Sequence, residues 1–252
     1  MKKLTGFSTA GVIVGIIVVV LIGVGAFLVI DGNNKATNYN DYDFYSVIQP
    51  DVHNGDIGDH VKGDPNAPVL VFEYADYQCP GCASINPRVN KAIEELDGKL
   101  AVVYRNFLLS YHQNGTAAAS AAEAAGLQGY WKEYADKLFA EQAEWEYATG
   151  SERTAMFNKY FEEVTDGKGD LDKFNKDIAS DAVSQKISFD MGIGKRIDIE
   201  ATPAFYIDGQ LIRMNEASSV VVNGETVSWD EAQGGDKFVE LLKKIVAAKT
   251  GE

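Results

Sequence analysis

The chain has 252 residues, with 23 Lys and Arg against 37 Asp and Glu, a formal net charge of −14 and two cysteines. Hydrophobic residues make up 46% and charged residues 24%, a globular composition long enough for one large domain or two small ones. The acidic balance excludes a polyanion-binding surface, which needs basic charge, and two cysteines cannot form a disulfide framework, a four-thiolate zinc site or an iron–sulfur cluster.

The charge is unevenly spread. Residues 1–30 hold Lys2 and Lys3 and no acid, so the rest of the chain holds 21 basic against 37 acidic residues, a net −16. Ala10 to Ile30 is an uncharged run of 21 aliphatic, Gly, Ala and Phe residues. As a helix it reaches about 31 Å, one membrane crossing. A cleaved signal peptide is the rival, with Val24-Gly25-Ala26 as a poor cleavage site, but Phe27-Leu28-Val29-Ile30 continues the apolar run past it. Lys2 and Lys3 place residues 1–9 in the cytoplasm by the positive-inside rule, and the acidic bulk outside it, where disulfides persist. Residues 31–56 are rich in Asn, Asp, Gly and Tyr without a sustained period, and are expected to form an extracytoplasmic linker. The alternative is that Tyr39, Tyr42, Phe44 and Tyr45 dock on the folded part or at lipid headgroups.

The folded part, 57–252, is expected to start near Ile57. Val69 to Ala75 predicts a strand buried on both faces, followed by Cys79-Pro80-Gly81-Cys82, a helix to Leu96 and a strand from Leu100 to Asn106. Strand, helix and strand make a βαβ unit with parallel pairing. Helical patterns follow at Thr116–Gly126, Tyr130–Gln142, Ser151–Val164, Leu171–Ser180 and Asp181–Met191, too many for a crossover. Ala201 to Ile207 then predicts a strand with Pro203 at its start. Asp208-Gly209 turns it into Gln210–Arg213, and Asn223-Gly224 marks a second hairpin between Val220–Val222 and Glu225–Val227. An amphipathic helix from Asp236 to Ala248 closes the chain.

The chemistry concentrates at Cys79 and Cys82. A cysteine at the first turn of a helix meets unpaired backbone N–H groups and the positive end of the dipole, so its thiolate is favoured. Cys82 follows one turn on, placed to resolve a mixed disulfide formed on Cys79. Pro80 suits the first helical turn because it has no N–H to leave unpaired, and Gly81 leaves the thiol open. A bare C-x-x-C also occurs as half a zinc site or as an inert structural disulfide. His53, His60 and His112, however, lack ligand-like spacing, and so short a loop constrains the unfolded chain little.

Taken with their surroundings, these residues resemble the membrane-anchored DsbA-like thiol:disulfide oxidoreductases over about Ile57 to Ala248. Val71 to Cys82 is similar to the active-site strand and helix start of that family, and Pro87 to its helix-kinking proline. His112-Gln113-Asn114, Glu123-Ala124-Ala125 and Tyr130 to Tyr134 are similar to the start of its inserted helices. Thr202-Pro203 matches its cis-proline pair. The resemblance implies an α/β thioredoxin-like fold with a helical insertion at about 110–195, after one N-terminal transmembrane helix. It also implies that Thr202 and Pro203 face the cysteines and bind substrate peptide. No metal or other cofactor is expected.

Strand alternation puts Glu73 on one face with Val69, Val71 and Ala75, where a carboxyl prefers to be neutral. It is expected to act as a proton acceptor for Cys82, at the position where the family carries a buried acid; alternatively it is an edge residue whose head reaches water. Pro203 read without the resemblance is an ordinary trans proline opening a strand. The family's strongest oxidants resemble Cys-Pro-His-Cys, so Gly81 predicts a milder oxidant. Asn114-Gly115-Thr116 fits either a glycosylation acceptor or a cap or turn, Asp166 to Asp172 a solvated turn more than a calcium loop, and Gly192 to Lys195 no phosphate loop.

The expected function is disulfide formation in cysteine-containing exported proteins. A membrane quinone-linked thiol oxidase is the implied reoxidant. A reductase or isomerase of the same fold, and a non-catalytic binding module with a structural disulfide, remain as alternatives.

Overall fold

The computed structural model describes residues 37–207, 209–213, 218–222, 225–229 and 237–251. The expected cytoplasmic segment 1–9 and transmembrane helix 10–30 lie outside the described residues. Among those described, no helix is long and apolar enough to cross a membrane.

Strands β2 (Val69–Ala75) and β3 (Leu100–Asn106) lie parallel at the centre of a five-stranded sheet, connected through helix α1 (Pro80–Glu95). Every residue of β3 is buried, as expected for a parallel pair covered on both faces. Beyond β2 come β4 (Ala204–Ile207) and β5 (Gln210–Arg213), both antiparallel to their neighbours, with Gly209 at positive φ (+74°) in the turn. β4 starts three residues later than the sequence pattern suggests, after a cis Thr202–Pro203 peptide; a proline has no N–H to give to a ladder. The opposite edge is β1 (His60–Gly63), antiparallel to β3 and absent from the sequence expectations.

Each face of the sheet has its own cover. Val69, Val71, Leu100, Val102, Phe205 and Ile207 pack against α1 and the C-terminal helix α8 (Lys237–Thr250). Phe72, Tyr74, Val103 and Tyr206 pack against Phe189 and Ile193. The latter belong to the helical insertion between β3 and β4, which comprises α2 (Gly115–Gly126), α3 (Trp131–Ala140), α4 (Gln142–Trp145), α5 (Gly150–Val164), α6 (Leu171–Ile178) and α7 (Asp181–Arg196). Helix α2 is its centre: Ala118, Ala119, Ala121, Ala122, Ala124 and Ala125 are all fully buried, the small side chains letting aromatic neighbours such as Trp131, Tyr134 and Phe161 approach closely. Helix α7 runs past the expected end at Met191. Gly192 and Gly194 serve close contact there: a Cβ on either would collide with the rings of Tyr39 and Phe107 respectively.

The segment expected to be a linker up to Asp56 is instead part of the folded unit from Tyr39 onward, as in the docking alternative. Tyr39 and Tyr42 pack on Phe189 with ring centroids 5.8 and 4.8 Å apart. The fully buried Arg105 explains the rest: it donates to the carbonyls of Phe44 (2.7 Å) and Ser46 (2.9 Å), to Asp59 (2.7 Å) and to the Tyr74 hydroxyl (2.9 Å). A buried guanidinium needs such partners, and this segment supplies two of them.

The second hairpin, β6 (Ser218–Val222) with β7 (Glu225–Trp229), forms its own two-stranded sheet. The Gln210 side-chain amide binds it to β5, donating to the Val221 carbonyl (2.8 Å) and accepting from its N–H (2.9 Å).

Candidate redox site

Helix α1 begins at Pro80, so Cys79 is its N-cap, with no side-chain capping bond of its own. Its sulfur therefore faces the open N–H groups of the first turn. Burial alone would raise its pKa, but a hydrogen bond from Cys82 outweighs it, and the Thr202 side chain and the backbone N–H groups of Cys82 and Gly81 add to the effect. Together they lower the Cys79 thiol from 9.0 to about 6. Cys79 Sγ as a thiol donates to the Thr202 carbonyl at 3.3 Å. The Thr202 hydroxyl is buried and has no hydrogen-bond partner among the described residues.

Cys82 is the opposite case. It is fully buried, against 6% exposure for Cys79, so an incoming sulfur reaches Cys79. Burial, then the hydrogen bond and charge of Cys79, and then the charge of Glu73 push the Cys82 thiol well above its ordinary value. Both cysteines are free thiols.

Pro203 closes the site from the other side. A Cβ on Gly81 would stand 3.1 Å from Pro203 Cδ and 3.6 Å from Cys79 Sγ, so Gly81 leaves room for the cis-proline loop beside the thiol. The structure thus brings together Cys79, Pro80, Gly81, Cys82, Thr202 and Pro203. Glu73 lies one layer deeper in β2, where the packing of Val69 and Val71 gives way to that of Ala75 and Cys82. It is 2% exposed, and its Oε1 has no hydrogen-bond partner among the described residues. Burial raises its pKa to about 7, with Lys62 pulling it down and Asp136 pushing it up.

The helical insertion holds the active-site turn. Gln142 Nε2 donates to the carbonyls of Tyr77 (2.6 Å) and Cys79 (3.1 Å). Gln78 donates to the Glu146 carbonyl (2.7 Å) and accepts from Asn114 N–H (2.6 Å). Asp76 accepts from Gln78 N–H (2.9 Å) and Leu109 N–H (2.9 Å) and pairs with His112 (2.8 Å). Asn114 stands in a turn at the N-cap position of α2, without a side-chain capping bond, and is buried: its amide donates to the carbonyls of Trp145, Glu146 and Ala148.

Asp166 bonds Lys168 on the surface, and Asp170 caps α6, so that loop is a solvated turn. Among the described residues no group of His, Cys, Asp and Glu is arranged to hold a metal ion.

Sequence reasoning missed Lys62, Asn86, Asn90, Asp136 and Gln142. One signal was present: Asn86 and Asn90 stand four apart in a helix that is otherwise apolar on its inner face, and asparagine is a poor helix former without a partner.

Residues 56–233 match the sequence model of the family described as Thioredoxin, and the chain belongs to that family. Within it the chain resembles solved DsbA-like proteins. It is similar to alpha-DsbA1 of Wolbachia pipientis, at 25% identity and a TM-score of 0.56 over 77% of this chain and 93% of that one. The fold is also that of oxidised BdbD from Bacillus subtilis, with a TM-score of 0.59 at 17% identity over 82% and 99% of the two chains. Curated relatives include the Na(+)/H(+) antiporter NhaA 1 of Mycolicibacterium gilvum, 31% identical over 155 residues, 60% of this chain and 24% of the antiporter. The chain thus spans about a quarter of that relative's length. Only 38 residues precede the folded unit, so most of the 155-residue match must fall on the thioredoxin-like part.

Proposed function

We propose that the protein forms disulfides in cysteine-containing exported proteins. A substrate thiolate attacks Cys79 of the oxidised pair, the Cys79–Cys82 bond breaks, and Cys82 leaves with its electron pair and takes a proton from Glu73. A second substrate thiolate then attacks the substrate sulfur of the mixed disulfide, releasing Cys79 as a thiolate and the substrate as a disulfide. The observation that carries this direction is the split between the cysteines. The thiolate of Cys79 is stabilised by its helix start and the Thr202 side chain, which favours the reduced enzyme and makes the oxidised one a ready acceptor of electrons. Pro80 and Gly81 keep the helix start open, and Thr202 and Pro203 offer backbone to an extended substrate beside Cys79.

In this reading the run from Ala10 to Ile30 anchors the protein in the cell membrane, with the N-terminus cytoplasmic and the redox domain outside. The segment ahead of Tyr39 is its tether. Reoxidation falls to a membrane quinone-linked thiol oxidase. Gly81, in place of the histidine of the strongest oxidants, supports a milder potential. Replacing Cys82 with Ser in the full chain tests the reading. Mixed disulfides between Cys79 and exported proteins should accumulate in cells, and their absence from a folded, expressed variant would refute it.

A further inference from the structure

Lys62 of β1, 2% exposed, lies on the Glu73 face of the sheet: it pairs with Val102 of β3, which pairs with Val71, two positions from Glu73 on β2. An ammonium beside a buried carboxyl ordinarily pairs with it. Here all three hydrogen bonds of Lys62 Nζ go elsewhere: to Asp136 Oδ1 (2.6 Å) on α3, and to Asn86 Oδ1 (2.7 Å) and Asn90 Oδ1 (3.1 Å) on α1. The cage is cross-braced, because the amides of Asn86 and Asn90 each donate to the same Asp136 oxygen at 3.0 Å. Two helices thus converge on one ammonium of β1, while Glu73 Oε1 stays buried without a partner among the described residues.

We propose that Asp136, with Asn86 and Asn90, is a positioning residue of the redox reaction, holding Lys62 off Glu73 so that the Glu73 carboxyl keeps a proton it can exchange with Cys82. This rests on the reading of Glu73 as the proton partner of Cys82. When Cys82 leaves the disulfide, the Glu73 carboxyl gives up its proton and Cys82 becomes a thiol. In the reverse step the Cys82 thiol returns that proton as its sulfur closes on Cys79. An ion pair with Lys62 would fix Glu73 as a carboxylate and remove the donor. The other titratable groups acting on or near Glu73 are Cys82 on α1, Tyr77 in the active-site turn and Tyr104 on β3. Burial holds all three neutral well past neutrality, so Lys62 and Asp136 are the charges that set its state. Against the burial that would raise it, the Lys62 charge and the hydrogen bonds of Asn90, Lys62 and Asn86 hold the Asp136 carboxyl below its usual range. The anion of the cage therefore persists wherever Glu73 titrates.

The test follows the Glu73 carboxyl by isotope-edited carbon NMR across pH in the reduced full-length protein, alongside the pH profile of mixed-disulfide resolution by Cys82. Asp136→Asn should lower the Glu73 midpoint by about one unit or more as Lys62 turns to it. Asn90→Ala, which changes no charge, should lower it by less, and Asp136→Glu should restore it. The resolution profile should move with the midpoint. A midpoint unmoved in folded Asp136→Asn and Asn90→Ala overturns the positioning role and leaves Glu73 as proton partner untouched. A moved midpoint with an unmoved resolution profile overturns Glu73 as the partner, and the positioning role with it.

Discussion

Replacing Thr202 with Val removes one hydroxyl and keeps the backbone carbonyl that accepts from the Cys79 thiol at 3.3 Å. Because Oγ1 has no partner beside the thiol, the change should cost the protonated form little. The thiolate loses one of its donors, while the Cys82 thiol and the N–H groups of Cys82 and Gly81 remain. A hydrogen bond to a charged group contributes about 1.5 kcal/mol net, which is about one pKa unit. The Cys79 midpoint should therefore rise from about 6 to about 7. The reduced form loses the same free energy, so the potential of the pair should fall by about 30 mV. Ultraviolet thiolate absorbance against pH reads the first quantity and equilibration with glutathione the second. An unchanged or lower Cys79 midpoint in a folded variant would refute the account of how the thiolate is held.

The lowered Cys79 pKa, 9.0 to about 6, stabilises the reduced fold fully above pH 9, and the effect is lost as pH falls through 6. At pH 7 it amounts to about 1 kcal/mol after allowance for solvent screening, so the gap between reduced and oxidised stability should shrink on acidification, as urea denaturation at several pH values will show. Glu73 has the opposite sign: an acid raised from 4.5 to about 7 erodes stability as pH rises between those values. Glu73→Gln should therefore stabilise the protein by up to about 3 kcal/mol above pH 7 while slowing resolution by Cys82; a thermal midpoint no higher than wild type at pH 8 would contradict this. Asp59→Asn leaves the buried charges of Arg105 and Lys186 short of their shared partner and should cost about 3–5 kcal/mol in chemical denaturation. Gly81→His places an imidazole where the added Cβ lies 3.6 Å from Cys79 Sγ, and a redox titration should show a higher potential than wild type.

The central sheet and insertion were legible because their signals are local and redundant. Val69 to Ala75 is an apolar run broken only by Glu73 and Leu100 to Tyr104 an unbroken one, the Cys79–Cys82 motif sits at a helix start, and the alanines of α2 suit close packing. β1 was not legible, since His60-Val61-Lys62-Gly63 has one strongly apolar residue and owes its place to backbone pairing with β3. The docking of Tyr39 to Asp56 depends on Arg105, a charge buried in the middle of a strand some 60 positions away, and no local pattern announces it. Lys62, Asn86, Asn90 and Asp136 escaped for the same reason: their meaning lies in one another, across β1, α1 and α3. Glu73 was found because strand alternation alone brings it inside, although its surroundings are less apolar than alternation suggests.

The most direct test of the central claim is the equilibrium potential of the Cys79–Cys82 pair in glutathione buffers at pH 7. A value between about −200 and −120 mV is predicted, oxidising toward substrate thiols yet short of the strongest oxidants of this type. A value near −270 mV, where reducing thioredoxins lie, would contradict it.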